Sequence, residues 1–572
     1  MPRCSLLPTS VWKPARASGA TGAAPHISGN PVVDALLQLR EIPAAEAKAF
    51  LEPKLAELTD PLTLPNIKDA IARVLTAIRD DQLIALYGDY DVDGVTSLAI
   101  LKRGIEALGG RIHCFLPHRM DEGYGLSAEG IARCLDECQP DLLLAVDCGT
   151  SSVAEGDILR EKGIDLIVID HHQAGPEGTP NAVAIVNPQL GEDQRYLCSA
   201  GLAFKFLHAL LKTDPDLREK FDIRTVLDLA ATGTVADLVP LEDDNRILVK
   251  AGLPRLGNTR NLGLRALMSV AGVKGSPIAS DIGFRLGPRL NAAGRLDTAM
   301  DALNLLLTER EDEAQSIANL LDTRNRDRQT LERAVHDQAL DQLRQNHPDQ
   351  LPAAIVLADA DWHPGVVGIV ASRIMRQYHR PTFIIGFDDD GLGKGSGRSV
   401  SGIDLVAHLD QAREHLVKGG GHAAAAGISV EASKVDAFRD ALCSSMSNED
   451  PALFDPSITP DIELTGDQVC LDLLDDLDHV APFGMGNPEP LFYLRNVTCL
   501  NEPRALKDKH WKFRIVDQNG SQAVDAIWFS GVEKMPDLPA GDWDLAFNLQ
   551  RNEWRGQQSV QLLIRDLRES ES

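Results

Sequence analysis

No apolar run among the 572 residues approaches the roughly 18 needed to cross a bilayer, so a membrane-spanning helix is excluded and no membrane partner is expected. The stretch Met1 to Ala20 carries Arg3, Lys13 and Arg16 but lacks the continuous apolar core of a secretory signal. Cysteine is sparse and unpatterned: there are nine, without a Cys-x-x-Cys pair, and the nearest neighbours are Cys134 and Cys138, one helical turn apart. An odd count without zinc-like spacing implies reduced thiols in a reducing compartment, and a cytoplasmic protein is expected. Positive charge is in deficit, with 57 Lys and Arg against 84 acids and a net charge of −27. That balance disfavours a broadly basic, polyanion-binding face. Basic residues nevertheless recur at particular places (Arg285, Arg289 and Arg295; Lys394 and Arg398; Lys507, Lys509 and Lys512), so a narrow basic groove on an acidic body is expected.

What is present is ordinary globular composition, 44% hydrophobic and 25% charged, in a chain long enough for three or four domains. Between residues 83 and 239 short apolar runs alternate with helical patterns, the signature of a mostly parallel, doubly wound α/β sheet. The runs at 83–87, 142–146 and 166–169 are rich in Leu, Ile, Val and Ala, as strands buried on both faces must be. Residues 309–346 contain neither proline nor glycine, and Ile317, Leu320, Leu321, Leu331, Val335 and Leu340 recur at helical intervals, predicting one long connecting helix that His347-Pro348 ends. A second α/β pattern follows, and after a polar stretch at 444–460 the chain turns to strand-like runs at 491–497, 511–516, 523–529, 543–549 and 559–564. Five short strands separated by turn signals predict a small closed β-barrel of oligonucleotide-binding (OB) type.

The apolar runs end in acids. Asp89, Asp91 and Asp93 alternate directly after the first, Asp147-Cys-Gly149-Thr follows the second, Asp170-His171-His172 the third, and Gly233-Thr234-Val-Ala-Asp237 closes a fourth apolar stretch expected in the same sheet. Ligands of such sheets gather at the carboxyl ends of the strands. The first segment begins like a calcium loop, yet its twelfth position is Ile100, where a bidentate glutamate is required, and a strand precedes it instead of a helix. Carboxylates supplemented by imidazole suit Mn2+ or Mg2+ better than zinc, and a pair of such ions is suited to phosphoester hydrolysis.

These segments resemble the DHH phosphoesterase superfamily, named after the triplet that stands here as Asp170-His171-His172. The resemblance implies metal ligation by Asp91, Asp93, Asp147, His171 and Asp237, with His172, Asp89 and Asp170 as the catalytic set. Asp228 lies in the same stretch as Asp237 and competes with it for the fourth assignment; Asp237 is preferred for its place in Gly-Thr-Val-Ala-Asp. Within the superfamily the chain is similar to the RecJ exonucleases, through residues 117–126 (Pro-His-Arg-Met-Asp-Glu-Gly-Tyr-Gly-Leu), 284–296 (Phe-Arg-Leu-Gly-Pro-Arg-Leu-Asn-Ala-Ala-Gly-Arg-Leu) and 481–490 (Ala-Pro-Phe-Gly-Met-Gly-Asn-Pro-Glu-Pro). That likeness implies a 5′→3′ exonuclease that takes single-stranded DNA to 5′-mononucleotides in repair and recombination, with two Mn2+ or Mg2+ ions. It implies a monomer, with a single-stranded-DNA-binding protein and a helicase as partners. The alternative is a DHH phosphodiesterase acting on short oligonucleotides or cyclic dinucleotides. The expected domains are an N-terminal segment (1–50), a DHH domain (51–308), the connecting helix (309–347), a DHH-associated domain (348–450) and the OB barrel (455–572).

Substrate contacts are expected from Arg289, Asn291 and Arg295, whose glycine- and alanine-rich turn lets a ligand approach guanidinium forks suited to phosphate oxygens. Gly420, Gly421 and His422 lie in a side-chain-poor run expected to lead into a small-residue helix whose N-terminus receives an anion. Arg373 and Arg398 join them by likeness to the DHH-associated domain. Trp511, among Lys507, Lys509 and Lys512, is placed to stack a base.

Overall fold

Alternate residues of one strand face opposite sides of a sheet, so a strand covered by helices on both faces must be apolar at every position. The chain meets that condition in β1 (Leu83–Gly88), β3 (Leu142–Val146) and, beyond its first residue, β4 (Asp165–Ile169), with β2 (Arg111–Phe115) and β5 (Ala184–Val186) added at the edges. All pairings are parallel, in the order β2-β1-β3-β4-β5. Ile84, Leu86, Leu142, Leu144, Val146, Ile167 and Ile169 enter one core, while Ala85, Tyr87, Leu143, Ala145, Leu166 and Val168 enter the core on the other face. The winding reverses between β1 and β3, which makes their carboxyl ends the ligand crevice of this topology.

The computed structural model describes residues 7–18, 28–117, 125–191, 196–296, 299–388, 391–520 and 522–570. They fall into two units, one comprising Ile42–Asn325 and Leu477–Glu489, the other Met1–Glu41, Arg326–Asp476 and Pro490–Ser572. Among the described residues no helix is long and apolar enough to cross a membrane.

The first unit contains the parallel sheet and the helices α1 (Val92–Ala107), α2 (Ser199–Thr213), α3 (Leu227–Ala236) and α4 (Gly287–Leu296). One expectation is corrected here: the stretch closed by Asp237 is helix α3, not a strand of the sheet. Its threonines satisfy their hydroxyls within the helix, Thr232 donating to the Asp228 carbonyl and Thr234 to that of Ala230, each at 2.7 Å, so both are paired although the helix is buried there. The uninterrupted pattern beginning near residue 309 forms α5 (Glu311–Asn346), a single helix of 36 residues that stops before Pro348.

In the second unit a five-stranded sheet has the order β9-β10-β8-β7-β6, made of β6 (Ile355–Asp359), β7 (Thr382–Phe387), β8 (Leu392–Arg398), β9 (Lys418–His422) and β10 (Ala425–Glu431). Beside it runs α6 (Pro364–Tyr378). The glycine-rich stretch is a second correction, because 418–431 is a hairpin and not a loop entering a helix. Ala425 and Ala426 are drawn into the ladder by pairing with Arg398 and Gly397, and a sheet partner overrides even the high helix propensity of an alanine run. Gly421 adopts φ +151°, and a Cβ there would stand 2.3 Å from the Ala425 carbonyl oxygen.

The C-terminal strands β11 (Phe492–Cys499), β12 (His510–Val516), β13 (Val524–Trp528), β14 (Trp543–Trp554) and β15 (Gln557–Glu569) close into a ring as expected. β11 pairs with β12 and β14, β12 with β13, β13 with β15, and β15 with β14. Phe492, Phe513, Phe547, Leu562 and Ile564 fill the barrel.

Candidate metal centre

Every acid at the crevice is delivered by a local device. Asp91 caps α1, its Oδ1 accepting the amides of Asp93 (2.8 Å) and Gly94 (3.1 Å). The chain doubles back so tightly that a Cβ on Gly94 would lie 2.3 Å from the carbonyl oxygen of Asp89, so only glycine fits. Asp93, in the first turn of α1, is fully enclosed. Asp147 follows β3 with φ +63°, a left-handed conformation that is strained for any residue with a side chain and is found preferentially at functional sites. Asp237 ends α3, where the negative end of the helix dipole disfavours a carboxylate.

The imidazoles divide into two roles. Asp170 accepts at Oδ1 from His172 Nδ1 (2.7 Å) and the amide of His171 (2.8 Å), and at Oδ2 from the amide of Thr150 (3.0 Å). Burial works against a charge on His172, but the hydrogen bond and charge of Asp170 prevail and raise its pKa to about 9. Asp170 is held well below the usual carboxylate range: burial opposes this, and the hydrogen bond and charge of His172 outweigh it. His171 is the opposite case, pushed down to about 4 by burial and by the charge of His172, so it is a neutral imidazole. Its Nε2 faces Asp147 Oδ1 at 3.4 Å, Asp237 Oδ2 at 3.6 Å and Asp93 Oδ2 at 3.9 Å.

The sequence-predicted residues therefore meet. Ligand atoms lie within 4.8 Å of one another in three sets: Asp89, Asp91 and Asp147; Asp93, His171 and Asp237; and Asp147, His171 and His172. Asp228 is elsewhere in the fold, where its Oδ2 accepts from the Thr259 hydroxyl at 2.5 Å. Burial and then repulsion from Asp91 raise Asp93 to about 7, and burial followed by Asp93 and Asp91 raises Asp237 to about 9. Asp147 is raised by burial and by Asp93, Asp91 and Asp89. Buried carboxylates that repel one another need a counter-charge. Among the described residues His171 Nε2 and Asp237 Oδ2 have no hydrogen-bond partner, and a neutral imidazole is the form that ligates a metal. Oxygen donors with one or two imidazoles fit a hard divalent cation.

Three contributors escaped sequence reasoning. The amides of Ser199 and Ala200 donate to Asp93 at 2.7 and 2.8 Å, and the Ser199 hydroxyl donates to Asp147 at 2.9 Å. Asn187 donates from Nδ2 to the Thr150 hydroxyl (2.9 Å) and to the His172 carbonyl (2.8 Å).

The proposed substrate residues are more dispersed. Asn291, on α4, accepts the Val92 amide at 3.2 Å and so braces the acid loop. Arg289 is ion-paired with Asp322 at 2.9 Å. The side chain of Arg295 and residues 118–124 lie outside the described residues. Arg373, Arg398, Gly420, Gly421, His422 and Trp511 belong to the second unit. There Arg373 contacts Glu332 at 3.0 Å, Arg398 donates to Ser396 Oγ (3.0 Å) and to its neighbouring carbonyl of Gly397 (2.7 Å), and His422 is exposed. Trp511 is half-buried, donates to the Met535 carbonyl at 2.9 Å and is flanked by exposed Lys507, Lys509 and Lys512.

Acids and imidazoles gathered at the switch point of a parallel sheet define a metal-dependent phosphoesterase of the DHH type. Residues 83–234 match the family model of the DHH family N-terminal domain, 351–448 that of the DHHA1 domain and 460–566 that of the RecJ OB domain. The single-stranded-DNA-specific exonuclease RecJ of Bacillus subtilis is 36% identical over 557 residues, covering 96% of this chain and 69% of its own length, and that of Escherichia coli is 36% identical over 530 residues, covering 88% and 90%. The crystal structure of RecJ in complex with Mn2+ from Thermus thermophilus superposes with a TM-score of 0.82 at 33% identity, over 98% of this chain and 80% of that one. The corresponding Mg2+ complex gives a TM-score of 0.76. The chain belongs to the RecJ family.

Proposed function

We propose that this chain is a metal-dependent exonuclease that degrades single-stranded DNA in the 5′→3′ direction to 5′-mononucleotides, in DNA repair and recombination. The observation that carries the reading is the convergence of Asp93, Asp147 and Asp237 on the unpartnered Nε2 of His171. Asp91, Asp93, Asp147, His171 and Asp237 would hold two Mn2+ or Mg2+ ions, with Asp89 beside them. Bound there, the ions supply Lewis-acid charge to a phosphodiester under attack.

The protein's own groups do the rest. Asp170 accepts the Nδ1 proton of His172 in a hydrogen bond and so holds the ring as an imidazolium, whose Nε2–H presents a charged donor to a phosphate oxygen. Arg289, Asn291 and Arg295 serve the phosphate side of the site in the DHH domain (51–308). Arg373, Arg398, Gly420, Gly421 and His422 serve the strand from the DHH-associated domain (348–450), beyond the connecting helix (309–347). In the OB domain (455–572) Trp511 stacks a base while its lysines neutralise backbone charge; residues 1–50 form the N-terminal segment. The chain acts as a cytoplasmic monomer, brought to its substrate by a single-stranded-DNA-binding protein and a helicase.

A single strand labelled at either terminus and digested with and without EDTA tests the reading. A 5′ label is expected to appear at once as a mononucleotide and a 3′-labelled strand to shorten progressively, and EDTA should stop both. Internal cuts, the reverse order of label release or EDTA-resistant digestion would contradict it.

A further inference from the structure

Two buried acids of the cluster, Asp93 and Asp147, follow different strands, and one helix start ties them together. Ser199 opens α2 and is fully buried. Its amide donates to Asp93 Oδ2 at 2.7 Å, the next amide, of Ala200, to Asp93 Oδ1 at 2.8 Å, and its hydroxyl to Asp147 Oδ1 at 2.9 Å. Both oxygens of Asp93 are thereby fixed by backbone, whereas Asp147 is fixed by one side-chain hydroxyl. We infer that Ser199 is a positioning residue of the metal centre, setting the rotamer in which Asp147 presents its carboxylate while the start of α2 orients Asp93.

The asymmetry makes the inference specific. Two of the ligand sets share no residue: Asp147 belongs to one, with Asp89 and Asp91, and Asp93 to the other, with His171 and Asp237. Removing the hydroxyl frees Asp147 and leaves the amides on Asp93 in place. Hydrogen bonds that orient a metal ligand carry on the order of a 10- to 100-fold effect on metal affinity. Ser199→Ala should therefore split the two ions, one binding as in the wild type and the other weakened by about tenfold or more.

The inference rests on the metal-centre reading, and the two fail differently. Mn2+ would be titrated into metal-free protein, with free Mn2+ counted by electron paramagnetic resonance and the fold of the metal-free variant followed by far-ultraviolet circular dichroism. Ser199→Cys, which keeps the volume but offers only a weak donor, is the companion variant should alanine fail to fold. The expected result is unequal binding in a folded variant against two ions in the wild type. Wild-type affinity at both steps in a folded variant, or equal weakening of both steps, overturns the role of Ser199 alone. A wild-type protein that takes up no Mn2+ removes the centre itself.

Discussion

His171 and His172 are adjacent, yet their surroundings give them opposite charge states. One is a neutral ring turned toward three carboxylates and the other an imidazolium anchored on Asp170. His172→Ala should accordingly lower the hydrolytic rate by about 10²- to 10⁴-fold, the usual weight of a positioned proton donor, while Mn2+ uptake persists; parallel rate and titration measurements check this. The acids make a second prediction. In the metal-free protein Asp93 is raised to about 7 and Asp237 to about 9, so a cation must displace protons to bind. Apparent Mn2+ affinity should rise as pH rises through that window, with proton release visible in titration calorimetry as a dependence of the heat on the buffer used; a pH-independent affinity would contradict it. These acids were legible in the sequence because their type and their position after apolar runs are both local facts. Ser199 was not, since it acts on partners 106 and 52 residues away and the surrounding Cys-Ser-Ala-Gly carries no signature of its own.

Elements were legible where periodicity was strong and illegible where a tertiary partner decided. The central strands β1, β3 and β4 stand out as apolar runs because both of their faces are covered, and α5 because no breaker interrupts it. The edge strand β2, reading Arg-Ile-His-Cys-Phe, is polar where only one neighbour covers it, and β5 has three residues. The alanine run beyond Gly421 pairs as a strand because β8 offers it a ladder, information absent from its own composition. The junction of β1 and α1 gives the prediction at this scale. Gly94→Ala forces a methyl against the Asp89 backbone and should lower stability by about 1–3 kcal/mol, as overpacking does, and weaken Mn2+ binding with it. Chemical denaturation and Mn2+ titration of the variant measure both.

Across the whole molecule the acidic excess of −27 coexists with basic residues that are partly spoken for: Arg285 pairs with Asp281 at 3.2 Å and Arg289 with Asp322 at 2.9 Å, while Lys507, Lys509 and Lys512 remain exposed on the barrel. Charge totals therefore say little about where a polyanion binds. The buried acids of the centre also affect the fold as a whole. A carboxyl whose folded pKa is raised favours folding below its unfolded value near 4 and loses that contribution as pH rises toward the folded value. The raised acids should thus cost the metal-free protein stability between about pH 4 and about pH 9, the upper limit set by Asp237. Mn2+ should raise Tm more at pH 8 than at pH 5, since binding to the folded form alone is stabilising. Thermal melts with and without EDTA would show it.

The convergence of the acids on a pair of cations is tested most directly by anomalous diffraction from crystals grown with Mn2+. Two peaks roughly 3.5–4 Å apart, enclosed by Asp89, Asp91, Asp93, Asp147, His171 and Asp237, are the predicted result. A map with no peak among these residues, or with manganese bound elsewhere, would contradict it.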